Sequence, residues 1–380
     1  MTQPEVVVVQ RRLANYRVPL FELMRHTLAK SGARLRVLHG EPSEAERLKR
    51  DGGVLDWAEM LPTHYFLGGD ICWQPFGRQA RNADLVIVTQ ENRLLYNLWA
   101  MAVARPKRLA FWGHGRNMQS ERPDGSKERF KRWTTSRVDW WFAYTKLGRE
   151  LVEQAGFPGD RITVLNNAID TSRLAAWRED LSAAEIIRLR GELGLGPGPV
   201  GLFLGSLYSE KRLDFLIRAS DVVRQKVAGF QLLIVGDGPD RAIVKQAAAE
   251  RPWVKWLGAR QGREKMAILG LGDVLLNPGA VGLGMLDSFV SGVPVITTAC
   301  GLHGPEIAYL EHRSNGLVTP DDLSTFVDAV CSLLRDDQLA AKLRAGCAAS
   351  AREITLEHMN ERFCEGILAC LGRPARRVSP

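Results

Sequence analysis

The sequence has few cysteines and no long apolar run. None of its six cysteines forms a C-x-x-C pair or stands at zinc-finger spacing from a histidine. This argues against a structural zinc site and a disulfide framework, and scattered thiols fit a reducing compartment. No segment approaches the roughly 20 apolar residues of a membrane-spanning helix, and the first apolar stretch is too short for a signal peptide. We therefore expect a cytoplasmic protein that does not cross a membrane.

The charge balance is modest for 380 residues. The chain holds 51 Lys and Arg against 43 Asp and Glu, a formal net charge of +8. Such an excess fits an anionic ligand, an anionic membrane surface or nucleic acid, and does not choose among them. A hydrophobic fraction of 45% and a charged fraction of 25% are ordinary for globular proteins, and the length favours two domains.

Short apolar runs alternate with helical patterns along most of the chain. Glu5–Gln10 is typical of a buried parallel strand, and Val18–Ala29 follows with apolar residues at helical spacing. The alternation predicts an α/β fold with helices on both faces of parallel sheets. The pattern breaks at 171–198, which has linker chemistry. We predict domains over 1–170 and 199–355, a linker region over 171–198, and a C-terminal helix over 356–372.

Two motifs follow predicted strands of the second domain. Gly205–Arg212 comes after the strand Val200–Leu204 and before a helix, so Lys211 or Arg212 would add a full positive charge beside a helix N-terminus. That arrangement suits a diphosphate, and a solvated cationic pair is the alternative.

The Gly-x-Gly turn at Gly236 would let a ligand approach the backbone closely. The alternative is a tight turn with no ligand.

A glycine-rich turn between Leu276 and Ile296 carries most weight. Backbone amides near Gly282–Gly284 would point at an anion, and Asp287 could accept hydrogen bonds from sugar or ribose hydroxyls. The alternative is a plain strand–helix–strand crossover with Asp287 on the surface, but the glycine density requires an explanation.

In their order and spacing, these motifs resemble the donor-binding domain of glycosyltransferase family 4, which has the GT-B fold. The resemblance covers Val200–Pro320 and includes G-x-L-x-x-E-K at Gly205–Lys211, V-G-D-G-P at 235–239 and G-V-P-V at Gly292–Val295. It implies two Rossmann-like α/β/α domains that face a deep inter-domain cleft. It also implies that the C-terminal helix 356–372 crosses back to the first domain, and a helix packed on its own domain is the alternative. It also implies retention of anomeric configuration and no essential divalent metal.

The resemblance also implies roles for individual residues. Lys211 would hold the donor diphosphate, with Arg212 as a second cation, and Asp287 would bind the nucleotide ribose. His114 would sit near the transferred sugar. The remaining donor-side candidates are Gly205, Ser206, Gly236, Gly258, Gly279, Val281, Gly282, Leu283 and Gly284. On the acceptor side the candidates are Tyr16, Arg17, Arg116 and Asn117.

Two positions depart from the family pattern. The family usually has an acidic pair with seven residues between its members, and counting back from Asp287 places the first member at Gly279. An arginine that often follows the strand is replaced by Ser206. One carboxylate and one cation are therefore missing, and Arg212 could supply the cation.

The segment 105–137 is basic, with ten Lys and Arg against three Asp and Glu and with aromatic residues between them. It could lie on an anionic membrane at the inner face or face a lipid-linked acceptor, and a solvated helix is the alternative. No nucleic-acid motif is present.

We expect transfer of a hexose or aminohexose from a nucleotide sugar to an acceptor hydroxyl, in synthesis of a bacterial cell-surface polysaccharide or glycoconjugate. UDP is favoured as the nucleotide and GDP is open. A binding or scaffold protein that kept the fold is one alternative, motivated by Gly279 and Ser206. An epimerase of nucleotide sugars with the same fold is another.

Overall fold

The structure is a computed structural model that describes residues 3–47, 51–115 and 134–376. The chain divides into two units. The first comprises Met1–Asp170 and Leu356–Pro380, and the second comprises Thr171–Thr355. Within the described ranges, no helix combines the length and apolarity needed to cross a bilayer.

The first unit is built on a seven-stranded parallel sheet in the order β3-β2-β1-β6-β7-β8-β9. Its interior strand β1 buries four consecutive valines, as expected for a strand covered on both faces. The strands are β1 Glu5–Gln10, β2 Arg34–His39, β3 Glu59–Met60, β6 Leu85–Thr89, β7 Leu109–Gly113, β8 Trp140–Ala143 and β9 Ile162–Val164. Between β3 and β6, β4 His64–Phe66 and β5 Ile71–Trp73 form a separate antiparallel pair.

Helices of the first unit connect these strands. The first of them begins with Pro19 in its first turn, where a missing N–H costs nothing. Its apolar face buries Leu20, Phe21, Met24 and Leu28. The helices of this part of the chain are α1 Val18–Lys30, α2 Glu44–Arg47, α3 Leu95–Ala102 and α4 Lys146–Gln154.

The second unit holds a six-stranded parallel sheet in the order β12-β11-β10-β13-β14-β15. This 3-2-1-4-5-6 order is that of the Rossmann fold. The strands are β10 Val200–Leu204, β11 Gln231–Val235, β12 Val254–Gly258, β13 Val274–Leu276, β14 Val295–Thr298 and β15 Gly316–Thr319. The helices are α5 Ser172–Asp180, α6 Ala183–Glu192, α7 Leu213–Lys226, α8 Arg241–Glu250, α9 Gly262–Leu269, α10 Gly284–Ser291, α11 Leu323–Arg335 and α12 Asp337–Glu353.

Residues 171–198, expected to be a linker region, are mostly helical and belong to the second unit. Ser182 caps α6 by accepting a hydrogen bond from the Glu185 N–H, while the Glu185 carboxylate accepts from the Ser182 N–H. Arg263 of α9 pairs with both Asp180 and Glu185, which ties the two helices to the unit.

The last helix, α13 Leu356–Gly372, packs in the first unit although it follows the second unit in sequence. The Phe363 ring lies against Trp112 and Phe142, with ring centroids 5.0 and 4.5 Å away. Asn360 donates a hydrogen bond to Thr27 of α1. The helix therefore completes a core that strands β7 and β8 and helix α1 begin.

In each sheet the strand order reverses at one point, between β1 and β6 and between β10 and β13. Open α/β sheets bind ligands beyond the carboxyl ends of the strands at such a switch point. The loops after β10 and β13 contain the predicted donor-site motifs, so topology and sequence point to the same edge.

Candidate active site

Lys211 lies in a 3-10 turn, Ser209–Lys211, between β10 and α7. Its side chain is only 7% exposed, and its ammonium group donates a hydrogen bond to the Ala280 carbonyl. Asn277 also donates to that carbonyl, at 3.3 Å. The predicted diphosphate cation is thus held against the loop that follows β13.

Burial lowers the pKa of Lys211 to about 8, and the carboxylates of Glu210 and Glu306 oppose that shift. The cause is desolvation, which disfavours the ammonium form. An arriving anion would restore the favourable environment that water no longer provides. The charged form of the side chain is therefore destabilised by burial, although its ammonium group keeps the hydrogen bond to the Ala280 carbonyl.

Gly279 leaves no room for a side chain. A Cβ at this position would lie 2.8 Å from the Cα of Lys211 and closer still to the Glu210 carbonyl oxygen. The Ala280 N–H donates to that same carbonyl at 2.7 Å. The family's acidic residue at this position is consequently replaced by direct packing of two backbone segments, and its carboxylate has no place here.

The amides of Gly282, Leu283 and Gly284 stand at the N-terminus of α10. In the described part of the chain none of these three N–H groups donates a hydrogen bond, as is usual for the first amides of a helix. Val281 differs, because its N–H already donates to Nδ1 of His303 at 3.3 Å. Of the predicted anion-binding amides, those of 282–284 thus differ from that of Val281, whose N–H is bonded to His303.

Asp287 lies in the first turn of α10 and is buried. Burial raises the pKa of its carboxyl, and the Lys265 ammonium, 2.6 Å from Oδ1, counteracts that shift. Lys265 belongs to α9 and was missed by the sequence analysis. The carboxylate that was predicted to bind ribose therefore forms an ion pair with Lys265, and this pair fixes the position of the Asp287 side chain.

The Arg212 guanidinium forms an ion pair within the second unit. Its backbone adopts the left-handed conformation at φ 55° as the cap of α7, and its guanidinium pairs with Asp321. The same group lies 4.6 Å from the Phe215 ring centre and 3.2 Å from the Thr298 hydroxyl. The structure thus gives this predicted second cation a carboxylate partner of its own.

Two further groups beside the site were not among the predicted residues. Glu306, in the 3-10 turn Pro305–Tyr309, is buried, and its negative charge raises the pKa of Lys211.

His303 accepts a hydrogen bond from the Val281 N–H. Its other ring nitrogen therefore carries the proton and donates to the Thr298 carbonyl at 2.7 Å. His303 therefore fixes the start of the 281–284 loop.

The other donor-side candidates lie at the carboxyl ends of neighbouring strands. Gly205 and Ser206 follow β10, Gly236 follows β11 and Gly258 ends β12. A Cβ at Gly236 would overlap the Gly205 carbonyl oxygen, and the Gly236 N–H donates to the Gly258 carbonyl. These glycines allow close packing of adjacent strand ends, a structural reason for their presence.

In the first unit, His114 follows β7 and Tyr16 and Arg17 precede α1. The His114 ring lies 4.4 Å from the Tyr144 ring, and the Arg17 guanidinium lies 4.6 Å from the Trp112 ring centre. The structure brings these predicted residues together at the carboxyl edge of the first sheet. Arg116, Asn117 and most of the basic segment 105–137 lie outside the described residues.

Residues 198–336 match the family model described as "Glycosyl transferases group 1". This segment is a group 1 glycosyltransferase domain. The chain is 25% identical over 339 residues to the D-inositol 3-phosphate glycosyltransferase of Salinispora arenicola, which covers 85% of this chain and 70% of that protein. It is 31% identical over 202 residues to the GDP-mannose-dependent α-(1-6)-phosphatidylinositol monomannoside mannosyltransferase of Mycobacterium tuberculosis, and half of each protein is covered.

The crystal structure of HepE from Anabaena in complex with UDP superposes with a TM-score of 0.71 at 18% identity, over 96% of this chain and 99% of that one. The sucrose-phosphate synthase of Thermosynechococcus elongatus gives a TM-score of 0.68 at 13% identity, over 95% and 98%. These likenesses confirm the predicted GT-B fold. The match of residues 198–336 to the family model and the likeness to the two named relatives indicate a hexosyltransferase, as the sequence motifs predicted.

Proposed function

We propose that this group 1 glycosyltransferase transfers a hexose or aminohexose from a nucleotide sugar to an acceptor hydroxyl with retention of configuration. The observation that carries the proposal is the buried Lys211 ammonium at the Ala280 carbonyl, together with the amides of 282–284, which donate no hydrogen bond to any of the described residues. Both features favour negative charge on a leaving diphosphate. Cell-surface polysaccharide or glycoconjugate synthesis is the proposed setting.

The proposed chemistry needs no nucleophile from the protein. The acceptor oxygen attacks the anomeric carbon from the side of the leaving group, while the bond from that carbon to the diphosphate oxygen breaks. The acceptor's proton passes to a diphosphate oxygen, so charge and atoms balance. Retention follows because the new bond forms on the face that the diphosphate leaves.

Lys211 and the helix amides would stabilise the charge that develops on the diphosphate. Such preorganised donors do the work that a divalent metal does in other transferases, so we propose that no metal is required. The crowding at Gly279 is compatible with this scheme, because the missing carboxylate would not be a reacting group. His114 is proposed to position the sugar.

Asp287 is proposed to accept hydrogen bonds from the ribose hydroxyls. Its ion pair with Lys265 lets the carboxylate stay charged although it is buried. Both UDP and GDP are candidates for the nucleotide of the donor. A structural neighbour binds UDP, whereas one curated relative is named as GDP-mannose-dependent.

The names of two relatives bear on the acceptor. One is named for D-inositol 3-phosphate and another for phosphatidylinositol monomannoside. We propose an acceptor from the same broad range, a sugar alcohol, a sugar or a lipid-linked glycan. Peripheral contact with an anionic membrane through the basic segment is proposed for lipid-linked acceptors.

Thermal melting of the full chain with UDP, GDP and their sugars tests the proposal, because a ligand of the folded state raises the melting temperature. The nucleotide that stabilises the wild type should fail to stabilise Lys211→Met. Donor hydrolysis or transfer in excess EDTA then tests the chemistry. Binding without turnover would favour the scaffold alternative that Gly279 motivates, and interconversion of donor sugars without an acceptor would favour an epimerase.

A further inference from the structure

A guanidinium in the first unit is buried, and one of its nitrogens has no hydrogen-bond acceptor among the residues that the structure describes. The Arg17 side chain ends the 3-10 turn Asn15–Arg17 and is 5% exposed. Its Nη1 atom is buried, and among the described residues no oxygen accepts a hydrogen bond from it and no carboxylate pairs with it. Burial of a charge without a partner is strongly unfavourable, so its presence requires an explanation.

Aromatic rings supply part of that explanation. The guanidinium carbon lies 4.6 Å from the Trp112 ring centre, 5.0 Å from that of Tyr16 and 5.7 Å from that of Tyr144. Ring faces attract a cation, but they do not satisfy the five directed N–H groups of an arginine. The rings therefore hold the group in place, and within the described part of the chain they leave Nη1 without an acceptor.

The place in the fold is one where ligands bind. Arg17 comes after β1, Trp112 lies near the end of β7, and Tyr144 directly follows β8, so all three lie at the carboxyl edge of the first sheet. Tyr16, whose ring lies against the guanidinium, is 39% exposed, and His114, which packs on Tyr144, is partly exposed. The indole N–H of Trp112 is likewise buried without an acceptor in the described part of the chain.

We infer that Arg17 binds an oxyanion, a phosphate or a carboxylate, that the acceptor carries. A planar guanidinium forks onto such a group through two parallel hydrogen bonds, and the aromatic surroundings strengthen them by excluding water. The assignment of the anion to the acceptor rests on the proposed function, which places the donor diphosphate at Lys211 in the second unit.

Calorimetric titration of the full chain at constant ionic strength tests the inference. Inorganic phosphate is the first probe, and Lys211→Met is the common background, so that the donor site does not contribute. Adding Arg17→Gln should weaken phosphate binding at least tenfold, and Arg17→Lys should retain part of it because the charge remains. Equal phosphate affinity with and without Arg17→Gln would overturn the inference.

Arg25→Gln is the matched control. Arg25 lies on the neighbouring turns of α1, stacks on one ring, Trp57, at 4.7 Å, and is exposed. Its replacement should leave phosphate affinity unchanged. Phosphate should also raise the melting temperature in that control and should not do so with Arg17→Gln.

A second set of probes distinguishes a free anion from an anionic acceptor. Glycerol 3-phosphate and glucuronate should bind at least as tightly as inorganic phosphate, whereas glycerol and glucose should not bind detectably. Binding of inorganic phosphate alone would overturn the acceptor assignment. A separate titration of the wild type with UDP and GDP tests the proposed function, which absence of nucleotide binding would contradict. The comparison of phosphate affinity with and without Arg17→Gln would still show whether Arg17 binds an anion.

Discussion

The Cα of Lys211 occupies the space that a side chain at Gly279 would need, since a Cβ there would lie only 2.8 Å away. The loop after β13 rests directly on the turn after β10, and the Ala280 N–H and carbonyl bond to Glu210 and Lys211 respectively. The absence of the family's first carboxylate is thus coupled to the position of the cation.

Gly279→Glu should therefore damage the protein although it restores the family pattern. The new side chain would push the 209–211 turn outward, and overpacking of this kind costs about 1–3 kcal/mol or more. Urea unfolding should show that loss, and calorimetry should show weaker binding of the nucleoside diphosphate. Gly282→Ala is the control for stability, because a Cβ there meets nothing within 4 Å. A Gly279→Glu protein with wild-type stability and higher turnover would refute this account.

Lys211→Met should stabilise the protein without ligand. A pKa lowered from 10.5 to about 8 means that the buried ammonium costs up to about 3 kcal/mol at pH 7. The Ala280 carbonyl would keep its bond from Asn277. The advantage of Lys211→Met should shrink between pH 8 and 10, because the folded wild type then sheds the proton that its unfolded chain retains. Urea unfolding across that range measures it, with the exposed Lys245→Met as control. A loss of stability that does not depend on pH would contradict the assignment.

Nucleotide affinity should fall as the pH rises above about 8. Below that pH Lys211 carries its proton and attracts the diphosphate, and above it the neutral amine does not. Lys211→Gln should bind weakly at every pH and should lower turnover by about one to three orders of magnitude, as removal of one transition-state donor does. Calorimetry and initial rates from pH 6.5 to 9.5 measure both effects. A wild-type affinity that stays constant across this range would separate Lys211 from the diphosphate.

Lys265→Met should destabilise the second unit by about 3–5 kcal/mol, because it leaves the buried Asp287 carboxylate without its cation. Adding Asp287→Asn should recover most of that loss, and the single variant should recover stability as the pH is lowered and Asp287 takes up a proton. Unfolding of the single and double variants measures the coupling. The exposed pair Lys226–Asp328 is the control, since Lys226→Met should cost about 0–1 kcal/mol. A small effect at Lys265 would show that Asp287 does not depend on the pair.

Much of the fold follows from local pattern. The valines of β1 and the apolar spacing of α1 predict these two elements within a residue or so of their observed bounds. The antiparallel pair β4 and β5 was missed, because each strand has three residues, too few for a period to show. The strand Gly316–Thr319, with four residues, was likewise not predicted.

The site was predictable where a motif is local and not where partners are distant. Lys211 and the 282–284 amides follow from strand-end motifs. The partner of Arg212 is 109 residues away in sequence, that of Asp287 is 22 residues away on another helix, and the crowding at Gly279 arises between loops nearly 70 residues apart. Such pairings depend on how helices and loops pack in three dimensions.

The placement of α13 sets an order of assembly during translation. Residues 171–355 form one continuous stretch, so the second unit can fold as soon as it leaves the ribosome. The first unit is made earlier, but Phe363, which packs on Trp112 and Phe142, is among the last residues to be made. Until α13 is made, the rings of Trp112 and Phe142 lack this cover. A chain whose translation stalls near residue 355 would therefore expose apolar surface that chaperones bind.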